Sequence, residues 1–333
     1  MIPVEWMEQA KRRLDGLIHH TPLTHDPDNS LYLKWENRQI TGSFKIRGAL
    51  NKVLCLERWE QQRGLVTASA GNHGQGVAYA ARKVGAPVIV FASEHASPTK
   101  IEKMRELGAD VRLVSGAYED AERAGLDYAA QQELTWVSPY NDGQVIAGQS
   151  TVGMEIIEQM GSVTPEAIIV PVGGGGLIGG IAAAVQEMDP RPLVIGVNSE
   201  ASPFFHAIFT TGSQNGVEEL PSLADGLAGA VEEGSITIPL VRSFADHFVL
   251  VSEEQVERAV AFAYQRYGEV IEGSAAVALA AALDSDRLTR LTRLTRLTPN
   301  GGPLAVVISG GNIQPELHQQ ICARWGAEAW GAV

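Results

Sequence analysis

Lys45 lies in Thr41-Gly42-Ser43-Phe44-Lys45-Ile46-Arg47-Gly48-Ala49, and glycine-rich turns follow apolar runs elsewhere in the chain. A lysine amine is a nucleophile only when neutral, and a neutral amine condenses with a carbonyl compound. Residues 44–58 form an amphipathic stretch. This predicts a helix with the Lys45 amine near its N-terminus, where the dipole disfavours a second positive charge and lowers the pKa. A solvated surface lysine looks the same in isolation, so the inference rests on the turns that accompany it. Together they imply a phosphorylated carbonyl cofactor with a planar, electron-poor ring.

The first turn, Ser69-Ala70-Gly71-Asn72-His73-Gly74-Gln75-Gly76, follows the apolar run 65–68 and precedes a helical pattern. Such a turn aims free backbone amides at the carboxyl edge of a sheet, where a carboxylate or phenolic oxygen would fit. It also reads as a helix cap built on Ser69 or Asn72. The second turn, Gly173-Gly174-Gly175-Gly176-Leu177, follows the run 167–171 and opens a helix. Four residues without side chains let the backbone wrap a phosphate. No lysine follows in GxxxxGK spacing, so this is not a Walker A loop. Gly174, Gly176 and Gly179 do match GxGxxG, with Glu200 about 20 residues on. That keeps a dinucleotide-binding oxidoreductase open as an alternative. The third turn, Ser309-Gly310-Gly311-Asn312, follows the run 304–308; Ser309 could meet a ring nitrogen without bringing charge. On its own it reads better as a turn that caps a helix over 314–324.

The elements that must position these turns alternate. Apolar runs at 65–68, 88–91, 111–114, 167–171, 193–197, 248–251 and 304–308 read as strands, and helical patterns at 76–84, 99–107, 119–132, 178–188 and 253–267 lie between them. The alternation predicts an α/β protein with mainly parallel sheets covered on both faces. Strand–helix units cluster at 65–135 and again at 167–308, which predicts two sheets in two lobes. Residues 62–144 then form a small domain inserted in a large one made of 1–61 and 145–333. Residues 1–14 read as an amphipathic helix without a secretory h-region. Residues 167–185 carry no charge over a length that could cross a bilayer, but Pro171 and the four glycines favour a buried strand, tight loop and buried helix. The Arg-Leu-Thr triplets of 287–298 match neither helix nor strand period and read as a surface insertion.

The formal net charge of −13 over 333 residues offers no basic footprint for nucleic acid or an anionic membrane. Cys55 and Cys322 are the only cysteines and lie far apart, so neither a disulfide framework nor a zinc site is indicated, and a reducing cytoplasm is expected.

Taken together, these segments resemble the fold-type II (tryptophan synthase β-like) pyridoxal phosphate enzymes, specifically the threonine and serine dehydratase branch that includes serine racemases. Residues 41–49, 69–76, 173–177 and 309–312 carry the match, supported by His20-Thr21-Pro22-Leu23, Val145-Ile146-Ala147-Gly148-Gln149, Leu223-Ala224-Asp225-Gly226 and Glu272-Gly273-Ser274-Ala275-Ala276. The resemblance implies that Lys45 binds pyridoxal 5'-phosphate as a Schiff base and that Phe44 packs beside the ring. Asn72 would hold the phenolic oxygen, residues 173–177 the phosphate and Ser309 the pyridine nitrogen, with Gly226 and Glu272 bordering the cofactor. Ser69, Ala70, Gly71 and His73 would line the substrate carboxylate pocket. The implied reaction is α,β-elimination from L-threonine or L-serine with Lys45 as general base, giving an enamine that hydrolyses to a 2-oxo acid and ammonia. A neutral serine at the ring nitrogen makes the ring a weaker electron sink and favours elimination. A homodimer or homotetramer is also implied.

The departures from the family pattern matter. Serine racemases carry a second serine where Ala70 stands, so its absence favours a dehydratase over a racemase. Asn198 stands where metal-binding members place a glutamate and Phe204 near their aspartate, which leaves Glu200 a poor hard-cation site, and no metal is expected. Ser138-Pro139-Tyr140-Asn141-Asp142 replaces the usual His-Pro-Phe start, so the substrate stays open, a threo-3-hydroxyaspartate dehydratase included.

Overall fold

The computed structural model describes residues 2–284 and 302–326; the Arg-Leu-Thr triplets lie outside the described residues. The strands are β1 (Leu23–Asp26), β2 (Leu31–Trp35), β3 (Leu65–Ala68), β4 (Val88–Ser93), β5 (Asp110–Val114), β6 (Thr135–Trp136), β7 (Ala167–Pro171), β8 (Leu193–Ser199), β9 (His247–Val251) and β10 (Leu304–Ile308). They form a six-stranded sheet ordered β1-β2-β10-β7-β8-β9 and a four-stranded sheet ordered β5-β4-β3-β6. Among the described strands, β1–β2 pairs antiparallel and the other pairs are parallel. The sheets are as expected. The hairpin β1–β2 is not signalled in the sequence because polar residues such as His25, Asp26 and Lys34 interrupt its apolar pattern, and β6 is not because it is only two residues long.

Burial on both faces explains the continuous apolar strands. Along β7, Ala167 and Ile169 join one core with helices Glu253–Tyr267 and Gly273–Leu283, while Ile168 and Val170 join another with helices Gly143–Met160 and Gly176–Val185. One face of the small sheet packs on helices Lys45–Cys55 and Asn72–Val84, the other on helix Tyr118–Gln131. The uncharged run 167–185 is thus a strand, a turn and a buried helix, and no helix of the described residues is long and apolar enough to cross a membrane.

The amphipathic stretch 44–58 divides. Its helix ends at Cys55 and a second runs Arg58–Arg63, because Glu57 and Glu60 form a reciprocal capping box that starts a new helix. The first of these helices is held by a buried charge cluster. The Arg47 guanidinium donates to both Glu36 oxygens (2.7 and 2.8 Å) and both Glu155 oxygens (2.6 and 2.9 Å), and Lys34 Nζ donates to Glu155 at 2.6 Å. Two cations and two carboxylates cancel, so no charge is left uncompensated. Arg47 is two residues from Lys45, and this clamp sets the helix start against the 3-10 turn Glu36–Arg38 and helix Gly143–Met160.

Candidate active site

The turns after β3, β7 and β10 all lie at carboxyl ends of parallel strands, and Lys45 starts the helix Lys45–Cys55 beside them. Two chain segments are braided here. Phe44 N donates to Ser309 O at 3.0 Å, Gly311 N donates to Gly42 O at 2.9 Å, and Ser43 pairs with Gly310. The braid explains two glycines. Gly42 has φ +70°, and a methyl on Gly310 would lie 2.5 Å from Glu272 Oε1.

The Lys45 amine donates to the Pro139 carbonyl at 3.0 Å and lies 5.3 Å from the Phe44 ring centroid. Its pKa is lowered to about 8, chiefly by burial, with the Glu272 carboxylate pulling partly back. Desolvation therefore does most of what the sequence reading assigned to the helix dipole. About a tenth of the amine is then neutral at a pH of about 7, far more than for an ordinary lysine.

Asn72 is the first residue of helix Asn72–Val84, whose cap is Gly71 without a side-chain bond, so neither Ser69 nor Asn72 serves as its cap. The Asn72 amide instead donates to Glu272 Oε1 at 2.7 Å and accepts from Asn312 Nδ2 at 2.7 Å, while Asn312 also donates to Thr41 O. Three separated turns meet at this one amide. Glu272 is raised to about 7 by burial and the nearby Asp225, against the pull of Lys100 and of donors from Asn72 and the Asn312 backbone. Ser309 is buried behind the same braid.

Ser69 Oγ accepts from Gly71 N at 3.1 Å, and Ala70 and Gly71 are partly accessible. His73 is buried, with Nε2 3.0 Å from the Val137 carbonyl. Burial and the Lys45 charge lower its pKa to about 3, so it is a neutral ring whose Nε2–H donates to that carbonyl. Its Nδ1 is buried without a partner among the described residues. A carboxylate would meet backbone amides and the Ser69 hydroxyl here, not an imidazolium.

The tetraglycine turn admits no side chain. A methyl at Gly174 would lie 2.3 Å from the Tyr140 ring, one at Gly175 2.5 Å from Phe205, and one at Gly173 3.0 Å from Leu227 Cα. Gly226 lies in the adjoining 3-10 turn Asp225–Leu227, its N–H donating to Ser274 Oγ at 2.9 Å. Gly175 has φ +84° and caps helix Gly176–Val185. The side chain of Leu177 joins the core, so at the turn it can offer a ligand only its backbone. None of the N–H groups of residues 173–176 donates to a protein acceptor among the described residues, so the turn suits a dianionic phosphate. The Ser309 turn is no helix cap either, since Gln314 caps helix Pro315–Trp325 without a side-chain bond. A depressed amine, an anion cradle barred to side chains and an uncharged serine fit pyridoxal phosphate.

The pyridoxal-phosphate dependent enzyme family matches residues 14–299. The chain belongs to this family. That membership sets aside the dinucleotide reading of Gly174, Gly176 and Gly179; Gly179 is small because Leu240 would lie 2.7 Å from a methyl there. An L-threonine ammonia-lyase of Thermotoga maritima is 41% identical over 327 residues, covering 96% of this chain and 78% of the relative. The structure is similar to the processed threonine deaminase isoform 2 of Solanum lycopersicum, with TM-score 0.84, 28% identity and coverage of 99% and 95% of the two chains. It is also similar to maize serine racemase, with TM-score 0.85, 27% identity and coverage of 96% and 97%. The fold is that of a fold-type II pyridoxal phosphate enzyme.

Several residues of the candidate site carry no signal in the sequence. Pro139 contributes a backbone carbonyl, which no side-chain pattern signals. Lys100 pairs with Asp225 at 2.8 Å and Lys103 donates to Asn312 at 3.2 Å, both from helix Pro98–Glu106; surface-type lysines on a helix carry no local sign of this. Asn198 donates to Val172 O at 2.7 Å and accepts from His206 N at 3.0 Å, so both ends of its amide are engaged, while Phe204 opens helix Phe204–Thr211.

Proposed function

We propose that this enzyme is a threonine and serine dehydratase, a lyase that converts a 3-hydroxy amino acid to a 2-oxo acid and ammonia. The observation that carries the reading is the partly buried, depressed Lys45 amine beside an undonated tetraglycine turn, with Ala70 in the carboxylate turn where a hydroxyl would be needed for a second proton donor. The names of the relatives support the same substrate class. Bound there, pyridoxal phosphate supplies a carbonyl for the substrate amine and a ring that draws electrons from the α-carbon.

The rest falls to the chain. The Ser69 hydroxyl and the Ala70 N–H hold the substrate carboxylate, the Ser69 and Gly71 N–H groups being engaged by Phe91 O and Ser69 Oγ, and the tetraglycine amides, with that of Leu177, hold the phosphate. Asn72 orients the phenolic oxygen through its own bond to Glu272, Ser309 meets the ring nitrogen without charge, and Phe44 and Gly226 border the ring. Lys45 removes the α-proton in its neutral form. The β-hydroxyl then leaves as water, one proton lost at the α-carbon balancing the one gained by the hydroxyl, and a water molecule returns in hydrolysis, so threonine yields 2-oxobutanoate and ammonia with atoms balanced. Ala70 offers no proton to the opposite face, so the bond change ends in elimination. Residues 62–144 act as a small domain on a large one made of 1–61 and 145–333, within a cytoplasmic homodimer or homotetramer that works without a divalent metal.

Incubating the purified enzyme with L-threonine, L-serine and threo-3-hydroxyaspartate, and measuring 2-oxo acid and ammonia, tests the reading. Turnover of L-threonine or L-serine is expected, with both the visible band of lysine-bound cofactor and the turnover lost in Lys45→Ala. Full turnover in that variant, or epimerisation faster than elimination in a chiral assay, would sink the proposal.

A further inference from the structure

Thr237 is fully buried at the start of helix Thr237–Phe244, far in sequence from every glycine turn. Its Oγ1 donates to the Gly174 carbonyl at 2.7 Å. Gly174 and Gly175 share a planar trans peptide, in which that carbonyl and the Gly175 N–H point in opposite directions. Holding the oxygen on Thr237 therefore turns the Gly175 N–H away from Thr237 and fixes the line along which it can donate. The left-handed φ of Gly175, +84°, completes the alternation that folds successive N–H groups into a concave anion nest.

The hydroxyl is itself held. Ser235 Oγ lies 2.8 Å from Thr237 Oγ1. Because the Thr237 proton goes to Gly174, Ser235 must be the donor of that second bond. The segment carrying both residues is pinned to the loop before helix Gly143–Met160, where Tyr140 Oη accepts from Glu232 N at 2.9 Å and Asn141 Oδ1 accepts from Ile236 N at 3.0 Å. Tyr140 is the same ring that bars a side chain at Gly174. The strap and the loop it is pinned to thus grip the tetraglycine turn from outside, Thr237 at its carbonyl and Tyr140 at its Cα face.

We infer that Thr237 is a positioning residue of the phosphate cradle, setting the direction of the Gly175 N–H, with Ser235 as its support. The inference rests on the reading of residues 173–177 as the phosphate site. A residue that only stabilised the fold would weaken binding of any cofactor analogue alike. One that aims a phosphate donor discriminates by the phosphate.

The test compares dissociation constants of pyridoxal 5'-phosphate and of phosphate-free pyridoxal, both measured through the lysine-bound absorbance band on stripped full-length protein. Thr237→Val keeps the shape and removes the hydroxyl. It should weaken pyridoxal phosphate by roughly tenfold or more, the usual scale for a charge-assisted hydrogen bond, and leave pyridoxal unchanged. Thr237→Ser should restore the preference. An unchanged ratio of the two constants in Thr237→Val overturns the inference. Should the valine variant not fold, Ser235→Ala serves, with a smaller loss, roughly twofold to threefold, confined to pyridoxal phosphate; equal losses for both ligands would refute it. If the wild-type protein itself shows no preference for the phosphorylated form, the phosphate-site reading fails, independently of Thr237.

Discussion

Replacing Lys45 by methionine should stabilise the cofactor-free protein, although it removes the residue on which the proposed activity depends. The Lys45 pKa falls from 10.5 to about 8 because its amine is held away from water. Below a pH of about 8 the lysine is protonated in both folded and unfolded chains, and the folded state bears the full penalty of the charge. As pH rises from about 8 to about 10.5 the folded state loses its proton first, and the penalty disappears. The displacement corresponds to about 3 kcal/mol at about 1.4 kcal/mol per tenfold in proton affinity. Lys45 remains partly open to solvent, which screens some of this, so a gain of about 1.5 to 3 kcal/mol is expected. Urea unfolding of stripped wild type and Lys45→Met at a pH of about 7, repeated near 10, measures it: the midpoint gap should be wide at the lower pH and shrink at the higher. A gap that is absent at about pH 7, or that widens with pH, would refute the account of Lys45 as a desolvated amine.

Glu272 runs in the opposite sense. Its folded pKa of about 7 lies above its ordinary 4.5, so stability falls as pH rises through that window, and Glu272→Gln should gain about 2 to 3 kcal/mol above a pH of about 7 and nothing below about 4.5, as read by thermal melts across pH. Arg47→Met leaves Glu36 and Glu155 without their shared cation and should cost about 3 to 5 kcal/mol in urea unfolding. Arg47→Lys should recover little, because one ammonium cannot span four carboxylate oxygens. Gly174→Ala should abolish cofactor binding in a titration of the visible band, since its methyl would meet the Tyr140 ring at 2.3 Å. Adding Tyr140→Ala should restore part of that binding, and additive losses in the double variant would count against the clash.

Particular residues show where sequence reasoning reached and where it stopped. Strands β3, β7 and β10 were legible to the residue because both faces are buried and their apolar runs are unbroken. Strands β1 and β2 were not, since Lys34 and Asp26 are polar residues buried against partners distant in sequence, Glu155 for one and Tyr267 and Arg266 for the other. The tetraglycine turn stood out because Tyr140, Phe205 and Leu227 leave no room for a side chain there, and composition records that exclusion directly. The period over 44–58 predicts one long helix because amphipathic spacing continues across Leu56, while the break is set by the local capping box at Glu57.

By itself the sequence determined the alternating α/β architecture and the family, and it singled out Lys45 as the candidate amine, because apolar periodicity, glycine and proline act locally and leave their mark in order along the chain. Only the tertiary structure decided how those parts are poised. The depression of the Lys45 pKa comes from burial that no local pattern encodes. The Asn72–Glu272–Asn312 junction joins residues 200 to 240 positions apart, and the Thr237 bond to Gly174 spans 63. Desolvation and hydrogen-bond direction depend on what surrounds an atom in space, and that is fixed only when the two sheets and their helices have packed.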